Sequence, residues 1–231
     1  MSDATGKLPN SIRKLLNAVK GSLSAVVFEM LTMTSGVGPI SLVSQIALTI
    51  RAISNYKSNS KKESKLTYTD GYINSQSSLT GWSLGYEQLS KCGCEVISVY
   101  NALKACGKPY KLSELILYFE VCGYVMLYGY FGSNPTKLWK AFSSLNIKYY
   151  SSFTLSVIEN KLKKSKCGIV SCWNNPIKTG LHTFMVKYDK SKKLFTSYNG
   201  YDNKNNPPYR SDKSLKNIVY SSQFIIGYSI K

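Results

Sequence analysis

One stretch limits what this chain can fold into more than any other: Gln88-Leu-Ser-Lys-Cys-Gly-Cys-Glu-Val-Ile-Ser-Val-Tyr-Asn-Ala-Leu103. Val96, Val99, Leu103 and Cys106 recur at helical spacing, and Gly107 followed by Pro109 ends the run. The pattern predicts a helix that opens at Cys94, after a polar loop containing Gly93. Unpaired N–H groups and the helix dipole favour an anion at such a terminus, so the Cys94 thiol is expected to shift toward thiolate. A thiolate is the nucleophile that cysteine hydrolases use.

A cysteine nucleophile also needs a base, and the chain contains one histidine, His182. It stands in Gly180-Leu-His-Thr-Phe-Met-Val-Lys-Tyr188, which reads as a strand entered through a Gly loop. A turn at Asp189-Lys-Ser-Lys leads to a second strand, Lys193-Leu-Phe-Thr-Ser-Tyr-Asn199. Such a hairpin would place Asn199 near His182, where an amide orients an imidazole and fixes its tautomer. Gln88 precedes Cys94 by six residues, and its amide is the candidate donor to an oxyanion beside the Cys94 N–H.

Gln-x5-Cys at a helix start, a later His on a strand and an Asn at the end of the next strand resemble the papain-like cysteine peptidases. The wording around Gly93-Cys-Glu-Val-Ile-Ser-Val-Tyr-Asn-Ala-Leu103 and Leu181-His-Thr-Phe-Met-Val-Lys-Tyr-Asp189 is most similar to the small bacterial branch. That branch includes the double-glycine-leader peptidases of bacteriocin exporters and their free-standing relatives. The resemblance covers residues 85–231. It implies a papain-like α+β fold, with Cys94, His182, Asn199 and Gln88 in the catalytic roles. The chain departs from the pattern in three places. His182 follows Cys94 by 88 residues, against roughly 130–150 in the plant-type enzymes. Glu95-Val96 stands where exporter peptidases usually carry Gly-Pro, and Asn199 where they carry an acid.

Other readings of the same residues stay open. Free cysteines are among the most buried residue types, and six are present. Cys92 is the rival nucleophile. Cys92 and Cys94 with a distant His match no recognised zinc spacing, and no metal or cofactor is expected. A lone histidine on a strand is more often a satisfied structural residue.

At 231 residues the chain is long enough for a full core. Residues 1–20 are basic but have no small-residue cleavage site after a short apolar region, so no cleavable signal peptide is expected. The six cysteines show no small-scaffold spacing and read as reduced thiols. Net charge is +18, spread over both halves of the chain. Basic proteins are drawn to nucleic acids, anionic membranes and acidic polymers. No nucleic-acid motif accompanies the charge, so a solvated Lys-rich surface is the expectation, with no specific nucleic-acid partner.

The chain divides into a helical hairpin over 1–54, a polar linker over 55–66 and a hydrolase domain over 67–231. Ile12, Leu15, Leu16, Val19, Leu23, Val26, Val27 and Met30 keep helical period, Ser35-Gly-Val-Gly-Pro39 breaks it, and Leu42, Val43, Ile46, Ile50 and Ile53 mark a second helix. Residues 21–50 carry one charge, Glu29, but Ser, Thr and Gly dilute the run. A hairpin packed on protein is expected, with weak association of 11–54 with an anionic membrane as its alternative. Downstream, helices are expected over 111–120, 136–145 and 155–164, the first with Ser113 near its start. Strands are expected over 147–153, 167–173 and 223–230. The Tyr- and Gly-rich stretch 121–132 reads as a cleft wall or a packed loop.

The expected function is a cysteine hydrolase cleaving a peptide amide in a peptide or protein substrate through an acyl-enzyme. Glutamine deamidation or amide transfer, frequent in toxins, would use the same residues. A non-catalytic binding module and a membrane-active protein are the rivals from other classes. The compartment is not fixed by the sequence: cytoplasmic, or exported without a cleavable signal.

Overall fold

In the computed structural model, the described residues are 39–175, 180–200, 209–219 and 223–231, with five single positions between 9 and 17. The expected helix over 11–30, the break over 35–38 and the loop over 203–208 lie outside them, apart from those single positions. The architecture is mixed α+β with an antiparallel sheet. None of the described helices is long and apolar enough to cross a membrane.

The first described helix, α1, spans Pro39–Ser60 and is followed by a short hairpin of β1 (Ser83–Leu84) and β2 (Glu87–Gln88). A single turn, α2 (Leu89–Cys92), runs into α3 (Cys94–Ala105). Next come α4 (Leu112–Val121), α5 (Leu138–Ser144), β3 (Tyr149–Ser152) and α6 (Leu155–Leu162). The C-terminal part contributes β4 (Cys167–Asn175), β5 (Gly180–Asp189), β6 (Leu194–Tyr198), β7 (Arg210–Asp212), α7 (Leu215–Val219) and β8 (Gln223–Ile230). The six-stranded sheet has the order β3-β8-β4-β5-β6-β7, antiparallel throughout.

Both faces of this sheet are covered, and strand alternation sorts its side chains between them. Ile169 and Met185 join Val96, Val99 and Leu103 of α3 in the larger core. Val170, Cys172, Phe184 and Val186 face the other way, against Ile158 and Leu162 of α6 and Leu215 and Ile218 of α7. Several expected details hold. Asn134 Oδ1 accepts the Thr136 N–H at 3.0 Å, capping a turn that opens with Pro135. Asp189 Oδ1 accepts from the Ser191 and Lys192 N–H groups and closes the β5–β6 turn.

The expected linker over 55–66 is not a linker. Residues 55–60 complete α1, Glu63–Lys65 forms a 3-10 turn, and Leu66 is buried. Two of the polar residues that suggested a linker, Asn55 and Asn59, are buried and bonded. Asn55 Nδ2 donates to the Gly85 carbonyl at 2.8 Å and to Glu120 Oε1 at 2.6 Å. Asn59, one turn on, receives the Ser83 N–H at 3.0 Å and donates to the Ser83 carbonyl at 2.9 Å. Ala52 and Ile53 belong to the larger core, so the described end of α1 packs into the same body as α3, α4 and the sheet and is not an appendage.

Asn59→Ala removes both bonds and orphans the Ser83 N–H. A loss of about 2 kcal/mol in unfolding free energy is expected, read by urea titration. A fragment starting at residue 67 lacks these clamps together with Ala52, Ile53 and Leu66, and it should show no cooperative unfolding transition. A cooperative transition from that fragment would restore the separable-appendage reading.

Candidate active site

The Cys94 helix start forms as its sequence predicts. Gly93 is the cap residue, and a Cβ there would meet the Leu89 side chain at 2.5 Å, so glycine lets α2 turn tightly into α3. Cys94 lies on the floor of a groove of about 460 Å³. Glu95 and Cys92 share that floor, while Met126, Tyr130, Phe131 and Trp173 supply apolar walls. The Tyr- and Gly-rich stretch is therefore a cleft wall, as one of its two readings had it.

The thiol is not the thiolate that a helix terminus alone would favour. Cys94 Sγ donates to Glu95 Oε2 at 3.1 Å. Burial pushes its pKa well above the ordinary thiol value, and the Glu95 charge and hydrogen bond add to the rise. The Thr183 N–H opposes it. A helix terminus offers roughly 0.3–1 kcal/mol, less than one pKa unit, whereas full burial shifts a group by up to 3–5 units. Desolvation wins.

Glu95 is buried as well. Burial raises its carboxyl to about 7, against hydrogen bonds from Cys94, its own N–H, the Ser133 N–H and Thr183. Thr183 Oγ1 lies 3.3 Å from Glu95 Oε1 and 2.8 Å from Ser171 Oγ. Ser98 Oγ lies 2.9 Å from the Thr183 carbonyl. Thr183 is thus the β5 residue that meets the start of α3.

That placement decides where His182 goes. Neighbours on a strand point to opposite faces, so the His182 ring lies on the far side of the sheet from α3. It stacks on Phe184 with centroids 6.2 Å apart, and Phe184 packs in the α6/α7 core. His182 is paired across the sheet with Cys172 of the same core. Burial lowers the imidazole pKa, opposed by bonds to the Asn199 and Gly200 backbone. The expected Cys94–His182 relay is not among the described contacts.

Asn199 does meet His182, but through its backbone: His182 Nε2 lies 2.6 Å from the Asn199 carbonyl, which fixes the proton on Nε2. The side-chain Oδ1 instead accepts the Gln76 N–H at 2.7 Å. Asn199 sits at φ 58°, so the chain turns out of β6 there and swings the amide toward Gln76. Gln88 is exposed and outside the groove lining, with Oε1 accepting from Ser90 Oγ at 3.3 Å. Its carbonyl, not its amide, reaches a cysteine: Cys92 Sγ donates to it at 3.2 Å. Burial pushes the Cys92 thiol up to about 12. Among the described residues no three or more His, Cys, Asp or Glu side chains are grouped to hold a metal.

Among the described contacts, Cys94 meets Glu95 and Thr183, and not His182, Asn199 or Gln88. The acid beside the cysteine was visible in the sequence. Its role was not, because a first-turn Glu ordinarily points to solvent.

No family model, curated protein or solved structure matches this chain.

Thiol chemistry gives a direct test. Cys106, half-buried at the end of α3, has its pKa lowered to about 7 by a hydrogen bond with Cys167 and, less, by Lys166 and Lys108. Cys106 therefore reaches the thiolate at lower pH than Cys94, whose pKa burial raises. Limited iodoacetamide followed by peptide mass mapping should find Cys106 modified first, and His182→Ala should leave the Cys94 rate unchanged. Preferential alkylation of Cys94, slowed by His182→Ala, would restore the histidine relay.

Proposed function

We propose that the chain is a papain-like cysteine hydrolase acting on a peptide amide, with Cys94 as nucleophile and Glu95, not His182, as the proton acceptor. The observation that carries the reading is the 3.1 Å Sγ–Oε2 contact at a helix N-terminus on the floor of an open groove. A carboxyl at about 7 is matched to proton transfer near neutral pH. As sulfur attacks the carbonyl carbon, its proton passes to Glu95. The carbonyl oxygen becomes an oxyanion, for which the Cys94 N–H at the start of α3 is the candidate donor. Glu95 then returns the proton to the leaving amine, and water hydrolyses the thioester. Resemblance to the papain-like peptidases supports the reaction class, and a helix-borne cysteine packed on an antiparallel sheet suits that scaffold.

A second reading has its own support. A buried thiol with a raised pKa beside a carboxylate is a poor resting nucleophile, which favours a groove that binds peptide without cutting it.

Incubation with peptide libraries and intact-mass readout separates the two. For the hydrolase, Cys94→Ala abolishes turnover. Glu95 accepts a proton only when ionised, so the rate climbs with pH through about 7. Glu95→Gln removes that inflection and costs on the order of 10²-fold or more. Binding without a mass change in either peptide or enzyme would establish the non-catalytic module. Ammonia release without cleavage would make the enzyme a glutamine deamidase.

A further inference from the structure

The turn after α4 holds large apolar side chains out in solvent. Leu127 is 63% exposed, Tyr128 51%, Tyr130 63% and Phe131 68%. The turn is not loose. The Met126 N–H bonds the Gly132 carbonyl at 2.7 Å, the Gly129 N–H bonds the Met126 carbonyl at 3.0 Å, and the Gly132 N–H bonds the Gly129 carbonyl at 3.1 Å. The Tyr86 N–H ties it to the β1–β2 hairpin through the Tyr128 carbonyl at 2.7 Å.

Two glycines let the backbones touch. A Cβ on Gly85 would stand 2.1 Å from the Tyr128 oxygen, and one on Gly129 would stand 2.3 Å from the Leu84 oxygen. Leu127 and Tyr128 are both held in the left-handed region, at φ 44° and 59°, a strained conformation for side chains of this size. The fold accepts this strain, and its result is an apolar knob pointing outward.

An arginine borders the knob. The Arg51 guanidinium lies 5.0 Å from the Tyr86 ring, and Tyr86 meets Tyr128 edge-on at 6.2 Å. Lys91 lines the same groove as Tyr130 and Phe131. Of the nearby acids, Glu95 is buried, Glu120 is largely shielded and bonded to Asn55 and Gly85, and Glu87 is paired with Lys91 at 3.3 Å.

We propose that the 126–132 turn is a docking surface for an anionic lipid bilayer. Its aromatic and aliphatic tip enters the headgroup boundary, while the Arg51 guanidinium beside it and the net positive charge of the chain face lipid phosphates. Aromatic rings beside an arginine suit that interface, and the net charge of +18 draws the chain to it. Leu127 and Phe131 argue against an acidic peptide or polymer as the partner. Such a partner pairs with the lysines and gains nothing from an apolar tip.

The test is flotation of the full chain with phosphatidylcholine vesicles, with and without phosphatidylglycerol. Binding should require the anionic lipid and weaken with salt. Leu127→Ser with Phe131→Ser should reduce the bound fraction ~10-fold or more while circular dichroism stays unchanged. In a second measurement the emission of the Tyr130→Trp variant should shift to the blue on adding anionic vesicles. No flotation, equal flotation of the serine variant, or capture by polyglutamate in place of vesicles would each overturn the assignment.

Discussion

The structure depends on one awkward requirement: α3 is buried along ten of its twelve residues, yet those ten include Glu95, Ser98 and Asn101, whose polar side chains must be bonded. Glu95, Ser98 and Asn101 stand three residues apart and so form one stripe along the helix. Each finds a partner outside it. Asn101 holds both the N–H and the carbonyl of Ile73, at 2.9 and 2.7 Å, and so pins the irregular chain ahead of the hairpin. Ser98 shares its proton between the Cys94 and Thr183 carbonyls. Glu95 meets Thr183 directly. A buried group left unpaired costs about 1–3 kcal/mol, so a slip of α3 along β5 would orphan several at once. Apolar contacts from Val96, Val99 and Leu103 set that the helix is buried; the polar stripe sets its register.

That stripe also fixes what lies opposite the cysteine. Because Ser98 and Glu95 both bond Thr183, the even-numbered residues of β5 must face α6 and α7. Either phase would have looked acceptable in the sequence, since Thr183 and Met185 make one apolar face and Phe184 and Val186 another. A strand buried on both faces carries no polar side to tell them apart. The His182 position was therefore legible to the strand and not to the face, and one residue of phase is what separates a histidine relay from a carboxyl partner.

The same limit explains the rest of what was and was not legible. The α3 boundaries, the Asn134 cap, the Asp189 turn and most strands follow from local chemistry and came through. The end of α1 did not: Asn55 and Asn59 look like linker residues unless Gly85, Ser83 and Glu120 are known to stand opposite them. Strand β7 and helix α7 are three and five residues long, too short for a period to show.

Burial of acids shapes the exterior too. Of twelve Asp and Glu residues, Glu95 and Glu120 are withdrawn from the surface, and burial raises both to about 7. Near neutral pH they are partly protonated, so the outward field is more positive than the formal +18 conveys. Glu120 ties α1, α4 and the β1–β2 hairpin together through Asn55 and Gly85. That tie holds Gly85 against the turn carrying Leu127 and Tyr128. One interior carboxyl thus both braces the exposed knob and removes a negative charge from beside it. An apolar tip on a basic field and a groove floored by a thiol and a carboxyl follow from where this small set of acids is placed.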